Sequence, residues 1–229
     1  PGTRWLSTGH AGGESRADAA YLLSVPEGWG DVDIAAYVDD RLDGAGFAAA
    51  APTSAPALLT GVSMRHARRA RLDPVEVVAT AGVNNPAVLP VDEAGGVGDA
   101  GERSAGSGGD TSPDHRHDGT VNVVVGTTRS LAPGALPNLL SVAAEAKAAT
   151  LLARVGVPGT TSDAIVAGCD PEGETAAFSG SATPVGSAAR VCVRDAVSAA
   201  LAARYADESP PASVDDAAYG VVSDARARV

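Results

Sequence analysis

Four polar side chains in the middle of the chain stand where folding alone does not call for them. Asn122 lies within a β-branched run, Glu145 and Lys147 lie inside a long helical pattern, and Asp163 opens a second apolar run. Carboxylate, ammonium and amide groups are the groups that move protons and stabilise a developing oxyanion. These four side chains can act together only if the elements that carry them meet in the fold.

The segment from residue 118 to residue 169 predicts a strand, a helix and a second strand. The run Val121–Val125 is typical of a strand, and a Pro-Gly turn then leads into the longest helical pattern, which Gly156 and Pro158 end. The apolar run of residues 163–169 follows. A unit of this length fits a crossover connection, so part of the sheet is expected to be parallel.

The long helix carries two polar stripes, which lie on different sides at 3.6 residues per turn. One stripe consists of Asn138, Ser141 and Glu145, and the other consists of Lys147, Thr150 and Arg154. A surface helix normally has one polar face, so one stripe is expected to face a polar cavity. The stripe with the longer side chains is the natural solvent face, which assigns Asn138 and Glu145 to the cavity. The alternative is a helix exposed on both sides.

Asn122 and Asp163 each allow two interpretations. Thr120, Asn122 and Val124 share one face of the first strand, and Asn is disfavoured in strands. Asn122 is therefore expected to bind a ligand or to cap a neighbouring turn. Asp163 follows Thr160, Thr161 and Ser162, which is also the composition of a turn that hydrogen-bonds to itself.

The remaining pattern predicts an α+β domain with a layered, mixed β-sheet and two long helices packed on it. Further strands are predicted at residues 4–10, 21–25, 57–63 and 75–83, a short helix at 34–42, and a second long helix from Pro184. The segments HAGGES (10–15) and HARRAR (66–71) are predicted to be turns. Residues 1–229 are expected to form one domain, with an interior of Ala, Val and Leu because aromatic residues make up only 3% of the chain.

Residues 92–118 are polar and of low complexity, and they predict a disordered loop insertion. His115 and His117 lie within it at a spacing that could chelate a metal, but a mobile polar loop offers no supporting ligand shell. Cys169 and Cys192 form no metal-binding motif and are expected to be buried free thiols. No metal ligand cluster is therefore predicted, although metal dependence stays open.

The charge balance argues against some partner classes. The formal net charge is −11, and Lys147 is the only lysine among 17 basic residues. An acidic chain with almost no lysine looks like adaptation to a very salty cytoplasm, and it repels the phosphates of nucleic acids. No apolar run is long enough to span a membrane, and no leader is visible, so a cytoplasmic location is expected. The chain begins at Pro1 rather than Met, which leaves an upstream segment open.

Several segments, in this order along the chain, resemble the adenosylcobinamide amidohydrolase family. The four that carry the resemblance are TAGVNNP (80–86), DGTVNVVV (118–125), ALPNLLSVAAEAKAATL (135–151) and GTTSDAIVAGC (159–169). LSTG (6–9), LLTGVSM (58–64) and FSGSATPVG (178–186) also fit, and the likeness covers most of the chain outside 92–117. The family keeps a lysine in its helix motif, and this lysine-poor chain retains only that one.

The resemblance implies hydrolysis of the amide that joins the aminopropanol arm to the corrin ring. Adenosylcobyric acid and 1-aminopropan-2-ol would be released, in archaeal salvage of cobinamide for cobalamin. The corrinoid would be the substrate and no cofactor is expected. The oligomeric state is left open.

Within that reaction we assign roles to residues of this chain as a hypothesis. The predicted catalytic residues are Glu145 as general base or acid, Lys147 as a group that polarises the carbonyl or steadies Glu145, and Asp163 as a group that orients water. At i, i+2 spacing Glu145 and Lys147 lie about 200° apart on a helix, so only one can point straight into the pocket. The predicted substrate-binding residues are Thr80, Asn84, Asn85, Thr120, Asn122 and Asn138.

Two other functions fit the same residues. A non-catalytic corrinoid-binding protein would need the amide-binding side chains but no general base. An amidase for another substrate, such as a small peptide or lactam, would hydrolyse without affinity for corrinoids.

Overall fold

The computed structural model of the protein describes residues 2–26, 32–47, 55–91, 119–217 and 219–228. The predicted disordered insertion at 92–118, with His115 and His117, lies outside the described residues. The strands are β1 Thr3–Ser7, β2 Gly13–Ala17, β3 Tyr21–Ser24, β4 Ala57–Thr60, β5 Arg68–Leu72, β6 Val75–Ala81, β7 Pro86–Val88, β8 Val121–Thr127, β9 Ser130–Leu131, β10 Gly159–Thr160, β11 Ala164–Cys169, β12 Thr175–Ala176 and β13 Val221–Val222. The helices are α1 Ile34–Gly44, α2 Ala135–Val155 and α3 Pro184–Arg204, with a 3-10 turn at Met64–His66.

A six-stranded mixed sheet in the order β2-β1-β11-β8-β6-β5 forms the centre of the molecule. Strands β8 and β11 pair in parallel, with Asn122 opposite Ala164 and Thr127 opposite Cys169. The neighbouring pairs β1–β11 and β6–β8 are antiparallel. Helix α2 is the crossover between the two parallel strands. The predicted α+β class with a mixed sheet is therefore confirmed.

One face of the sheet packs against the two long helices. The core between them consists of Ala, Val, Leu, Ile and Cys side chains, as the low aromatic content predicted. Cys169 and Cys192 lie in this core as free thiols, and burial raises the pKa of the Cys192 thiol. The prediction of one domain over residues 1–229 stays a prediction.

The opposite face of the sheet is covered by the β3–β4 pair and by Trp5. Trp5 packs with Leu58 and Val166, and its indole Nε1 donates to the Ala17 carbonyl over 3.0 Å. Because β4 lies across β8 and β11, Asn122 and Thr80 on this face are fully buried.

Two predicted turns contain strands instead. Most of HARRAR lies in a strand, because Arg68–Leu72 forms the edge strand β5, which is antiparallel to β6. The Arg69 guanidinium lies 2.5 Å from the Glu76 carboxylate. HAGGES contains the start of β2, which pairs with β1 from Gly13. Both are edge strands, where charged side chains are tolerated on exposed faces, so the period-2 apolar signal is missing.

The contact between Gly168 and Trp5 gives a test of this packing. A Cβ atom at Gly168 would overlap the Trp5 ring, so we expect Gly168→Ala to lower the free energy of unfolding by about 1–3 kcal/mol. Gly126 is paired with Gly168 in the register, and a Cβ there meets nothing within 4 Å. Denaturant unfolding at high salt should show Gly126→Ala unchanged within about 0.5 kcal/mol. Equal losses in both variants would contradict the packing.

Candidate functional site

Polar side chains gather where the N-terminal ends of β8 and β11 lie side by side. Asp163 immediately precedes β11, and Val121 opens β8. Helix α2 runs back across the sheet, so its C-terminal half, with Lys147, lies over this end. The turn of residues 160–163 contributes Thr160 and Asp163 to the group.

The carboxylate of Asp163 is the centre of this group. Its Oδ1 accepts hydrogen bonds from the Val121 backbone N–H over 2.9 Å and from the Thr160 hydroxyl. Its Oδ2 accepts from the Thr160 backbone N–H over 3.0 Å and from the Lys147 ammonium. Two donors on each oxygen fill the lone-pair positions of a carboxylate. Asp163 therefore holds β8, the 160–163 turn and α2 in one arrangement.

Lys147 and Asp163 form an ion pair that is largely removed from solvent. Only 11% of the Lys147 side chain and 10% of the Asp163 side chain are exposed. Gly159 lies directly against the pair, and a Cβ atom there would come within 2.7 Å of Asp163 Oδ2 and 3.1 Å of Lys147 Nζ. The absence of a side chain at position 159 leaves room for the ammonium to reach the carboxylate.

The predicted orientation of α2 is wrong for every member of the two polar stripes except Arg154, which is exposed as predicted. Lys147 and Thr150 are buried, whereas Asn138, Ser141 and Glu145 are exposed. The Lys147 charge is compensated by Asp163, and the Thr150 hydroxyl donates to the Ala146 carbonyl over 2.7 Å. Polar side chains with such partners can face the interior.

Glu145 is not brought to Asp163. Its side chain is 64% exposed, and its nearest described partner is the half-exposed Arg190 of α3 at 3.4 Å. The prediction that Glu145 faces a polar cavity is therefore wrong, because its carboxylate lies in solvent beside an arginine.

Asn138 lies near the opposite end of α2 from Lys147, about 13 Å away along the helix axis. Its Nδ2 donates to the Ser179 hydroxyl over 3.0 Å, and Ser179 in turn donates to the Ala135 carbonyl. Together with the exposed Phe178, Asn138 lines a cavity of about 570 Å³. The structure thus separates Asn138 from the other predicted substrate-binding residues.

Asn122 and Thr80 share the sheet face that β4 covers, and they sit opposite each other on adjacent strands. Both are fully buried. The Asn122 Nδ2 donates to the Leu59 carbonyl over 2.6 Å, and its Oδ1 accepts from the Ala164 backbone N–H over 3.2 Å. The contact with the Ala164 N–H, directly after the turn of residues 160–163, matches the interpretation of Asn122 as a cap for a neighbouring turn. The Thr80 hydroxyl has no hydrogen-bond partner among the described residues.

Asn85 and Thr120 lie at the rim of the same sheet end. The Asn85 Nδ2 donates to the hydroxyls of Thr161 and Ser162, and the Thr120 hydroxyl lies 2.7 Å from the Ser162 hydroxyl. Thr161 and Ser162 are exposed, so this rim meets solvent. The buried Oδ1 of Asn85 has no partner in the described chain.

The Asn84 side chain contacts α3 and not the rim that Asn85 contacts. Its Oδ1 accepts from the Tyr205 hydroxyl over 3.0 Å, and the same hydroxyl accepts from the Val83 backbone N–H. Asn84 thereby ties this turn to the end of α3.

Sequence reasoning missed Thr160 and Gly159, and it placed Lys147 on the wrong side. One signal could have placed Lys147: it follows the buried Ala143 by four residues and precedes the buried Thr150 and Leu151 by three and four. From the sequence, Thr160 is typical only of a turn. Its contact with the charged pair depends on a tertiary neighbour that no local pattern reveals.

The group presents a carboxylate with an ammonium hydrogen-bonded to one of its oxygens and a hydroxyl hydrogen-bonded to the other. Such a set can accept a proton, return it and stabilise negative charge on a carbonyl oxygen. Within the described part of the chain, no three His, Cys, Asp or Glu side chains cluster as metal ligands. The described helices also include none long and apolar enough to cross a membrane.

Comparison with known proteins finds the same family that the sequence motifs resemble. The family model described as adenosylcobinamide amidohydrolase matches residues 1–209. The adenosylcobinamide amidohydrolase of the halophilic archaeon Halobacterium salinarum is 54% identical over 231 aligned positions, which cover all of this chain and 92% of that protein. The segments around Asn85, Asp163 and Lys147 all fall within the matched range. The chain therefore belongs to the adenosylcobinamide amidohydrolase family, a family of hydrolases.

Proposed function

We propose that the protein hydrolyses the aminopropanol amide of adenosylcobinamide to adenosylcobyric acid and 1-aminopropan-2-ol, in cobalamin salvage. The observation that carries the proposal is the buried Lys147–Asp163 pair, which lies in two of the family-like segments and is in direct contact with a hydroxyl. The proposed setting is a salt-rich cytoplasm, where two buried free thiols stay reduced.

Lys147 and Asp163 divide the chemistry of amide hydrolysis between them. Lys147 has three N–H donors, one of which is directed at Asp163, so it is able to donate to the substrate carbonyl as well. Asp163 accepts the proton of the attacking group and returns it to the leaving amine. Glu145 has no part in this scheme because its side chain points to solvent.

The rim beside the pair supports recognition of a corrinoid. The corrin ring carries neutral amide arms, which need both donors and acceptors. Thr120 and Ser162 place hydroxyls at this edge, and the Asn85 Oδ1, buried beside them, has no partner among the described residues. Asn122 and Thr80, which are buried under β4, would hold the strands that carry this rim. Asn84 would fix the turn that carries Asn85 through its hydrogen bond with Tyr205. Asn138 would have to act from the separate cavity beside Phe178.

The direct test is incubation of the protein with adenosylcobinamide at high salt, followed by mass spectrometry of the products. We expect adenosylcobyric acid and free 1-aminopropan-2-ol in equal amounts. Binding without product, seen as a change in the corrin absorbance, would favour the non-catalytic corrinoid-binding protein. Neither binding nor product would favour an amidase for another substrate. A chelator added to an active sample reports metal dependence.

Removal of the Asp163 charge should abolish turnover. We expect Asp163→Asn to lower kcat by about 100-fold to 10,000-fold, because general acid–base catalysis contributes that much. The variant leaves the Lys147 charge buried without its counter-charge, which costs about 3–5 kcal/mol of stability. The double variant Lys147→Met with Asp163→Asn removes both charges and should recover most of that stability while remaining inactive. Restored turnover in the double variant would contradict the assignment.

Glu145→Gln tests the role that the sequence suggested for this residue. An exposed pair such as Glu145–Arg190 contributes about 0–1 kcal/mol, so we expect normal stability and product release within about twofold of the unchanged protein. Steady-state release of 1-aminopropan-2-ol is the measurement. A loss of kcat comparable to that of Asp163→Asn would return Glu145 to the mechanism.

Gly159→Ala should damage the site through crowding alone. The new methyl group would press on Asp163 Oδ2 and Lys147 Nζ and separate them, so kcat is expected to fall at least about tenfold, as for misplaced catalytic groups. Gly134→Ala at the start of α2 is the matched control, since a Cβ there meets nothing within 4 Å. Equal activity of the two variants would show that the pair tolerates displacement.

A further inference from the structure

The hydroxyl of Thr160 donates to a carboxylate in a buried setting, whereas the Ser213 hydroxyl donates to the Asp216 carboxylate on an exposed surface. Three other buried hydroxyls, those of Thr127, Thr150 and Ser179, donate to backbone carbonyl oxygens, which cannot take up a proton. The Thr160 hydroxyl donates to Oδ1 of Asp163, a carboxylate that can. This is the contact expected between a nucleophile and the base that activates it.

The base is itself fixed in place. The Val121 and Thr160 backbone N–H groups and the Lys147 ammonium occupy the other acceptor positions of Asp163. Its Oδ1 is thereby held toward the Thr160 hydroxyl. A nucleophile, a base and a group that orients the base together form the arrangement that recurs in covalent hydrolases.

From this arrangement we infer that Thr160 is the nucleophile of the amidohydrolase, a step that rests on the proposed function and specifies its mechanism. The residue is 8% exposed and is followed by the exposed Thr161 and Ser162, so it lies just inside the rim that would bind the amide arms. Asp163 then acts on a hydroxyl in the first step and on water only in the second.

The reaction proceeds through an ester. The Thr160 Oγ forms a bond to the amide carbonyl carbon while its proton passes to Asp163, and the Lys147 ammonium stabilises the oxyanion. The carbon–nitrogen bond then breaks, and the proton on Asp163 moves to the leaving nitrogen, which releases 1-aminopropan-2-ol. Water, deprotonated by Asp163, attacks the cobyryl ester. The ester bond breaks, and Thr160 regains its proton as adenosylcobyric acid leaves.

The ester can be detected in the unchanged protein. We expect hydroxylamine, added during turnover, to divert product into the cobyryl hydroxamate, with 1-aminopropan-2-ol released in an amount equal to the sum of hydroxamate and adenosylcobyric acid. Acid-quenched samples should also show the intact chain with the mass of the cobyryl group added at Thr160. Turnover that yields neither hydroxamate nor adduct would overturn the nucleophile and indicate direct attack by water.

Substitutions give an independent readout. Thr160→Val keeps the shape and removes the hydroxyl, so amide cleavage is expected to fall at least about 1,000-fold, whereas Thr160→Ser should retain cleavage and the adduct. Thr150→Val, which removes a buried hydroxyl that donates to a carbonyl, should cleave at the normal rate. Cleavage by Thr160→Val within tenfold of the unchanged protein would overturn the inference.

The outcomes also separate this inference from the proposed function. If the unchanged protein releases no 1-aminopropan-2-ol, the proposed function fails, and the nucleophile fails with it. If it releases the amine but Thr160→Val does so too, only the nucleophile is lost. Thermal unfolding of Thr160→Val, compared with Thr150→Val, shows whether a folded variant was assayed.

Discussion

The compensation of one buried positive charge by one buried negative charge constrains the whole end of the sheet. Lys147 comes from the crossover helix, whereas Asp163 comes from the start of the strand that this helix leads into. An isolated charge in such a place would cost several kcal/mol, so each partner requires the other. The backbone N–H groups of Val121 and Thr160 then fix the carboxylate, so the proposed catalytic pair is also a structural link.

Small residues around the Lys147–Asp163 pair leave space for it. The core between sheet and helices is built from small aliphatic residues, which let α2 lie close to β11. Gly159 allows the ammonium to approach the carboxylate, and Asn122 joins the backbone of β4 to that of β11 on the opposite face. The proposed catalytic pair is thus supported from both faces of the sheet. Such support is what keeps catalytic groups in a productive geometry.

The sequence predicted the elements well where a strong period was present. The β-branched run of β8, the long α2 pattern and the parallel crossover were all recognisable, because buried strands and helices repeat apolar residues. The edge strand β5 was not, since its exposed arginines erase the alternation. In the site, the polarity of Lys147 and Thr150 suggested a solvent face. Their burial depends on partners distant in sequence or one turn away, and a rule based on polarity alone cannot see those partners.

The identity of the basic residue follows from the same geometry. Every other basic side chain apart from histidine is arginine, so a lysine at 147 stands against the composition of the chain. An ammonium is a compact charge with three donors, whereas a guanidinium is a broad planar fork. The space beside Oδ2 is bounded by Gly159 and by the Thr160 backbone N–H, which donates to the same oxygen. A fork would have to displace one of them, whereas an ammonium fits and keeps donors for a substrate carbonyl. The one lysine therefore stands where arginine could not provide the same contacts.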